Sequence, residues 1–457
     1  MPSRSGATHA IVSRRAVTPE GTREAAIVID GERIAKVCPP AELPPGIEVH
    51  DVGDLVLMPG LVDCHVHLNE PGRTEWEGFE TATRAAAAGG VTTLVDMPLN
   101  STPVTTTREA FDRKLEAAEG KLHVDVGFWG GVIPGNASAL TELARAGVLG
   151  AKAFLCHSGI DDFPRATEAV LREAMPRMRD AGIPLLAHAE LELPVDGVEL
   201  DPSCYASWLS SRPRAWEDAA IALLIELCRE TRCPVHVVHL SSASALPMIA
   251  EAKAEGLPLT VETCPHYLCL RAEEVPDGAT IYKCAPPIRD AENREALWRG
   301  LLEGVIDFVV TDHSPCTPAL KGGGFMEAWG GIASLSLGLP SVWTEASRRG
   351  ATLAQITRWL ASGPARFAGL ADRKGALSPG LAADFVVWDP DATFEVSAAE
   401  LRFRHPISPY LGRTLRGVVR ESWMGGRRIF DGREVDKPSG RPLLHRHSVH
   451  PYSERTS

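Results

Sequence analysis

Two histidines one residue apart, His65 and His67, end the apolar run Leu61-Val62-Asp63-Cys64-His65-Val66-His67. On a β-strand, residues i and i+2 point to the same face, so both imidazoles aim at one point. Neutral imidazole is a ligand for zinc and its transition-series neighbours, and the pair reads as one corner of a metal site. Other apolar runs end in the same kind of residue: Leu185 to His188 delivers His188, Val235 to His239 delivers His239, and Phe308 to Asp312 delivers a carboxylate. Asp312 suits metal ligation and proton transfer alike, while a helix N-cap is its blander use. His236 lies three positions before His239, which on a strand puts it on the opposite face, packed beneath a helix. The run Gly150 to Leu155 holds Lys152 in an otherwise apolar stretch, where a lysine is rare unless paired or functional. A neutral lysine amine takes up carbon dioxide to form a carbamate, an extra carboxylate able to bridge two cations. Four histidines, one aspartate and such a lysine suffice for a binuclear centre. Zn heads the compatible divalent ions, with Mn, Co and Fe beside it.

These residues need a frame that brings distant strand ends together. Between Leu57 and about Leu370 the chain alternates apolar runs with helical patterns, and eight runs qualify as strands: 61–67, 91–97, 124–130, 150–155, 183–189, 235–240, 257–263 and 307–311. Helical stretches such as Thr107 to Ala118 and Ala215 to Glu230 lie between most of them. That rhythm predicts a (β/α)8 TIM-like barrel, an α/β fold whose chemistry sits at the C-terminal strand ends, where the candidate ligands fall. The flanks read differently. Residues 1–56 contain short strands with an Asp30-Gly31 hairpin turn, and 371–438 contain Ala383 to Trp388 and a Gly425-Gly426 turn. Neither flank closes a sheet alone, so the two chain ends are expected to build one small β-sandwich beside a barrel of residues 57–370. Residues 439–457 read as a flexible tail, and its His445, His447 and His450 as a solvated accident.

The chain has 457 residues, 23% charged and 44% hydrophobic, the composition of a globular protein with a large core. A formal net charge of −12 argues against nucleic acid or an anionic membrane as partner and favours small molecules. Ten cysteines without framework spacing predict reduced thiols, with Cys156, Cys264, Cys269, Cys284 and Cys316 as small buried hydrophobes. No apolar run reaches the length of a membrane span and no leader pattern precedes the first strand, so the cytoplasm is the expected address.

The ordered set His65, His67, Lys152, His188, His239, Asp312 resembles the cyclic amidohydrolases of the amidohydrolase superfamily, which include dihydroorotases, hydantoinases, dihydropyrimidinases and allantoinases. The resemblance extends over nearly the whole chain, split sandwich included. It implies that His65, His67 and Asp312 hold one metal ion, His188 and His239 the other, and carboxylated Lys152 bridges them. It also implies hydrolysis of a cyclic amide by a hydroxide between the ions, with Asp312 as general base and then acid. Within the family, His65 to Glu80, Asp96-Met97-Pro98-Leu99-Asn100-Ser101, Lys152 to Gly159 and Glu262 to Leu268 are most similar to the allantoinase group. Dihydroorotases place an arginine just after the HxH to clamp a carboxylate. Here the residue is Asn69, whose amide suits a neutral ureide. Asn100 lies one residue later than a substrate-binding asparagine of dihydroorotases. Cys284, in Lys283 to Arg289, and Ser314, beside Asp312, complete the substrate contacts that the resemblance implies. It further implies a homotetramer. Hydantoinase, dihydropyrimidinase or dihydroorotase activity is the alternative, and a non-catalytic scaffold of this fold would lack metal ligands. Lys321-Gly322-Gly323-Gly324-Phe325 reads as a hinge or a solvated turn, while His157, His266 and His313 read as structural neighbours of the site.

Overall fold

The computed structural model describes residues 8–195 and 201–445. Five strands come first: β1 (His9–Thr18), β2 (Gly21–Asp30), β3 (Arg33–Cys38), β4 (Glu48–Asp51) and β5 (Val56–Pro59). The Asp30-Gly31 turn joins β2 to β3, Gly31 supplying the positive φ of 60° that a tight hairpin demands. From β5 the chain crosses into the barrel at Gly60, where a Cβ would stand 2.2 Å from Thr92 Oγ1. Only glycine fits that crossing.

The barrel strands are β6 (Leu61–Val66), β7 (Val91–Asp96), β8 (Asp125–Phe128), β9 (Gly130–Gly131), β10 (Ala151–Phe154), β11 (Leu185–His188), β12 (Val235–Val237), β13 (Leu259–Thr263) and β14 (Phe308–Val309). Apart from β8 and β9, each pairs in parallel with the next. β8 and β9 are one path interrupted at Trp129, which leaves eight positions around the ring. Closure comes from a parallel bridge between Val66 and His313 and from the His67 N–H, which donates to the His313 carbonyl at 2.8 Å. Strands β6, β7, β10 and β11 are buried along their whole length, as expected when helices cover the outside and side chains fill the inside. The floor is aromatic: Trp129 donates its indole N–H to the Cys64 carbonyl at 2.8 Å and packs on Phe367, which also lies against Phe308. Each such side chain contributes about 1.5–3 kcal/mol through burial.

Three later strands, β15 (Phe385–Glu395), β16 (Thr414–Met424) and β17 (Arg427–Phe430), return to the first five. The resulting sheet runs β17-β16-β15-β5-β1-β2-β3, with β4 against β1. β5 is its keystone, antiparallel to β15 on one side and parallel to β1 on the other. The fold is an α/β barrel with a small β module built from both flanks. Lys374 ties the two together: its Nζ lies 2.6 Å from Asp125 Oδ2 at the start of β8 and pairs with Asp384, next to β15. Lys374→Met leaves two largely buried carboxylates facing each other, and the expected loss is about 3–5 kcal/mol, read as a lower urea midpoint. An unchanged midpoint would mean that the triad carries no net stability.

Residues 439–445 depart from the expected flexible tail. A short strand β18 (Pro442–Leu443) pairs in parallel with β8, the Gly440 N–H donates to Leu122 O at 2.8 Å, and the His445 N–H donates to Gly147 O at 2.9 Å. Two paired residues carry no period, so sequence patterning does not register them. His447 and His450 lie outside the described residues. All ten cysteines are unpaired thiols, and among the described residues no helix is long and apolar enough to cross a membrane.

Candidate metal centre

The C-terminal ends of β6, β10, β11, β12 and β14 converge on one cluster. His65 Nε2 lies 3.1 Å from Lys152 Nζ and 3.1 Å from Asp312 Oδ1, and His67 Nε2 lies 3.5 Å from the same oxygen. His188 Nδ1 stands 3.0 Å from His239 Nε2. All six side chains are buried. His239 and Asp312 leave their strands with φ of 37° and 45°, and Asn69 and Asn100 take 63° and 67°. Among the described residues, four of the six non-glycine residues held in this region of φ therefore belong to the rim, and such conformations persist only where the surrounding structure enforces them.

The kink at His239 corrects the reading of His236. Alternation holds only while the strand continues, and β12 stops at Val237. His236 consequently points inward beneath the cluster, stacked on Phe367 with centroids 3.9 Å apart, and its Nε2 lies 3.0 Å from Glu262 Oε2.

Glu262 is the residue that sequence reasoning missed. Its Oε1 accepts from His65 Nδ1 at 2.5 Å and from the His239 backbone N–H at 3.2 Å, while Oε2 serves His236. The network assigns the His65 proton to Nδ1 and leaves on Nε2 a lone pair that faces both Lys152 Nζ and Asp312. Burial raises the Glu262 carboxyl, and Lys152 pulls it back. The signal was the one used for Lys152, a charge inside an apolar run. Glu190 does the same for His188: its Oε2 accepts from Nε2 at 2.6 Å, and Arg212 grips both oxygens. Burial alone would raise Glu190, but Arg212 and then His188 outweigh it and hold the carboxyl at about 2.

This donor set fits cations. Burial pushes His65 and His239 well below the usual imidazole range, so both are neutral. His65 Nε2 and Asp312 Oδ1 then face each other as acceptors, and His188, its Nε2 committed to Glu190, turns the Nδ1 lone pair toward His239. Like partners at these distances repel unless a positive ion lies between them. Burial also brings the Lys152 amine from 10.5 down to about 8, against the pull of Asp312 and Glu262. Replacing Glu262 by Gln puts an N–H against one of two N–H donors and forces one imidazole to turn. The expected result is metal affinity weaker by about 10–100-fold, measured by dialysis against a chelator. Unchanged affinity would remove Glu262 from the scheme.

The candidate substrate contacts are less uniform. Asn69 Oδ1 and Asn100 Oδ1 are buried without partners, which leaves two acceptors beside the cluster. Asn69 Nδ2 lies 3.3 Å from the Pro315 carbonyl. The Cys284 thiol is buried and its carbonyl accepts from Trp208 Nε1 at 3.0 Å. Ser314 does not join the ligands; it lines a cleft with Ile281, Lys321 and His405. The glycine stretch is pinned at its start, Lys321 Nζ donating to the carbonyls of Trp329 and Gly331 at 2.9 and 2.6 Å. His313 Nε2 lies 3.4 Å from Glu77 Oε2. His157 is exposed.

Residues 56–428 match the model of the amidohydrolase family. The chain is 52% identical over 434 residues to an allantoinase of Streptomyces avermitilis, spanning 94% of this chain and 97% of that one. It is 47% identical to an allantoinase of Arabidopsis thaliana, spanning 94% and 90%. In structure it superposes on an L-hydantoinase (dihydropyrimidinase) from Arthrobacter aurescens with a TM-score of 0.89 at 28% identity, covering 96% of this chain and all of that one. With the family model matched over most of the chain and relatives about half identical over nearly its whole length, the chain belongs to the amidohydrolase family.

Proposed function

We propose that this chain hydrolyses the cyclic amide of allantoin to give allantoate, at a binuclear centre held by His65, His67, His188, His239, Asp312 and a carboxylated Lys152. The observation that carries the reading is the convergence of these six buried side chains on one rim. High identity to allantoinases over nearly the whole chain supports the choice of substrate. Two divalent cations held by these six residues, Zn first among them, would supply Lewis acidity and lower the pKa of bound water toward neutrality. Asp312 accepts the proton of the attacking water as the C–O bond forms and returns it to the ring nitrogen as the C–N bond breaks. Glu262 and Glu190 keep the His65 and His188 lone pairs aimed inward. Asn69 and Asn100 offer amide groups to a neutral ring that has no carboxylate to clamp. Asn69→Ala is expected to lower kcat/KM about three- to tenfold, the worth of one neutral hydrogen bond.

Hydantoin and dihydrouracil are the rival substrates, favoured by the likeness to hydantoinases. A panel of allantoin, hydantoin, dihydrouracil and dihydroorotate on one metal-quantified preparation separates the readings. Allantoin is expected to show the highest kcat/KM, and preference for another ring would overturn the assignment. We also propose that the chain assembles as a homotetramer, which sedimentation of the same sample tests.

A further inference from the structure

Just past Glu262 the chain runs through Cys264-Pro265-His266, which no step of the proposed reaction uses. Cys264 Sγ, a ring nitrogen of His266 and a carboxylate oxygen of Asp312 lie within 4.8 Å of one another, and all three residues are buried. His266 is fully buried, and neither of its ring nitrogens has a hydrogen-bond partner. The neighbouring Tyr267 hydroxyl is committed to the Pro286 carbonyl at 2.7 Å. An imidazole with two idle nitrogens, beside a thiol and a carboxylate, is a donor set without its acceptor. It differs from the cluster next to it by its sulfur, which favours thiophilic divalent ions. Ligand atoms on one tetrahedral zinc ion stand roughly 3.5 Å apart, so small side-chain rotations close the set. A similar trio, Cys156, His188 and Glu190, already holds a cationic partner, because the Arg212 guanidinium lies against both its carboxylate and its thiol.

We infer that Cys264, His266 and Asp312 form an additional site for a thiophilic divalent cation, and that its occupation captures the Asp312 carboxylate and stops turnover. As the ion binds, the Cys264 S–H proton leaves to solvent and a sulfur–metal bond takes its place. The inhibitory half of the inference rests on the proton-transfer role proposed for Asp312; the binding half does not.

The test titrates the holoenzyme, loaded with its two equivalents of zinc, with Co²⁺. Three readouts are followed: metal content after dialysis, the near-ultraviolet sulfur-to-cobalt charge-transfer band, and allantoin turnover. The unmodified protein is expected to take up one further ion, with the band rising as turnover falls by at least about tenfold. Cys264→Ser and Cys264→Ala should show no band and keep turnover over the same range. His266→Gln should need at least about tenfold more cobalt to reach the same band. A band that persists without Cys264, or an unmodified protein with full turnover and no band, would overturn the inference. A preparation inactive on allantoin whose band still depends on Cys264 and His266 would keep the site and remove the hydrolase reading instead.

Discussion

Asp312→Asn is expected to lower kcat on allantoin by roughly a hundred- to ten-thousandfold, with bound metal retained. The substitution keeps the shape of the side chain and one oxygen for ligation, yet an amide cannot take a proton from water and pass it on. Burial alone would raise Asp312, but its hydrogen bond to His67, then the charges of His67 and Lys152, hold it below the usual carboxylate range. It is therefore the ionised, proton-accepting form through the whole neutral range, and no acid limb of the rate profile near neutrality belongs to it. Steady-state kinetics beside metal analysis checks this. Normal turnover with metal bound would take the proton-transfer role away from Asp312.

Lys152→Ala is expected to cost still more, at least about a thousandfold in kcat, because it removes the group that joins the two halves of the centre. One ion should be lost with it. A short carboxylate such as propionate, filling the space of the missing carbamate, should restore part of both. The same lysine makes a prediction of opposite sign for the metal-free protein. Its folded pKa of about 8 lies below the ordinary 10.5, so burial opposes folding wherever the unfolded chain is protonated. That cost, about 3 kcal/mol, is complete below about pH 8 and disappears as pH rises past 10.5. The melting temperature of the metal-free enzyme should accordingly climb between pH 8 and 10, and Lys152→Met should melt higher than the parent at neutral pH. A flat profile for the parent would show that the amine is not desolvated. Carbon dioxide capture needs the neutral amine, so reconstitution from the metal-free state should quicken over the same rise.

Much of this frame is legible from hydrophobic patterning, because each barrel strand is buried on both faces and appears as an apolar run. The period-two argument placed His65 and His67 together, and both reach Asp312 even though the β6–β7 register shifts between Asp63 and Val66. It failed for His236 and His239, where a positive φ breaks alternation. Lys152 stood out as a charge where burial forbids one unless it has work to do. Glu262 carried the same mark, but its use depends on His65, 197 positions away in sequence, and on His236, 26 positions away, each on another strand. Arg212 reaches Glu190 from a helix end, a contact that no local pattern encodes. The strand at Pro442–Leu443 is visible only through its partner.

The sheet that joins both flanks also bears on how the chain comes into being. β5 needs β15 on one side, yet more than three hundred residues separate them, so β1 to β5 emerge from the ribosome with an unpaired edge while the whole barrel is still to be made. Pairings of such high sequence separation form late. The nascent molecule should therefore pass through a stage in which the barrel is assembled but its companion sheet is half built, with hydrophobic strand edges exposed to other chains. Yield on expression, more than stability once folded, is where slow synthesis and chaperones should make their difference.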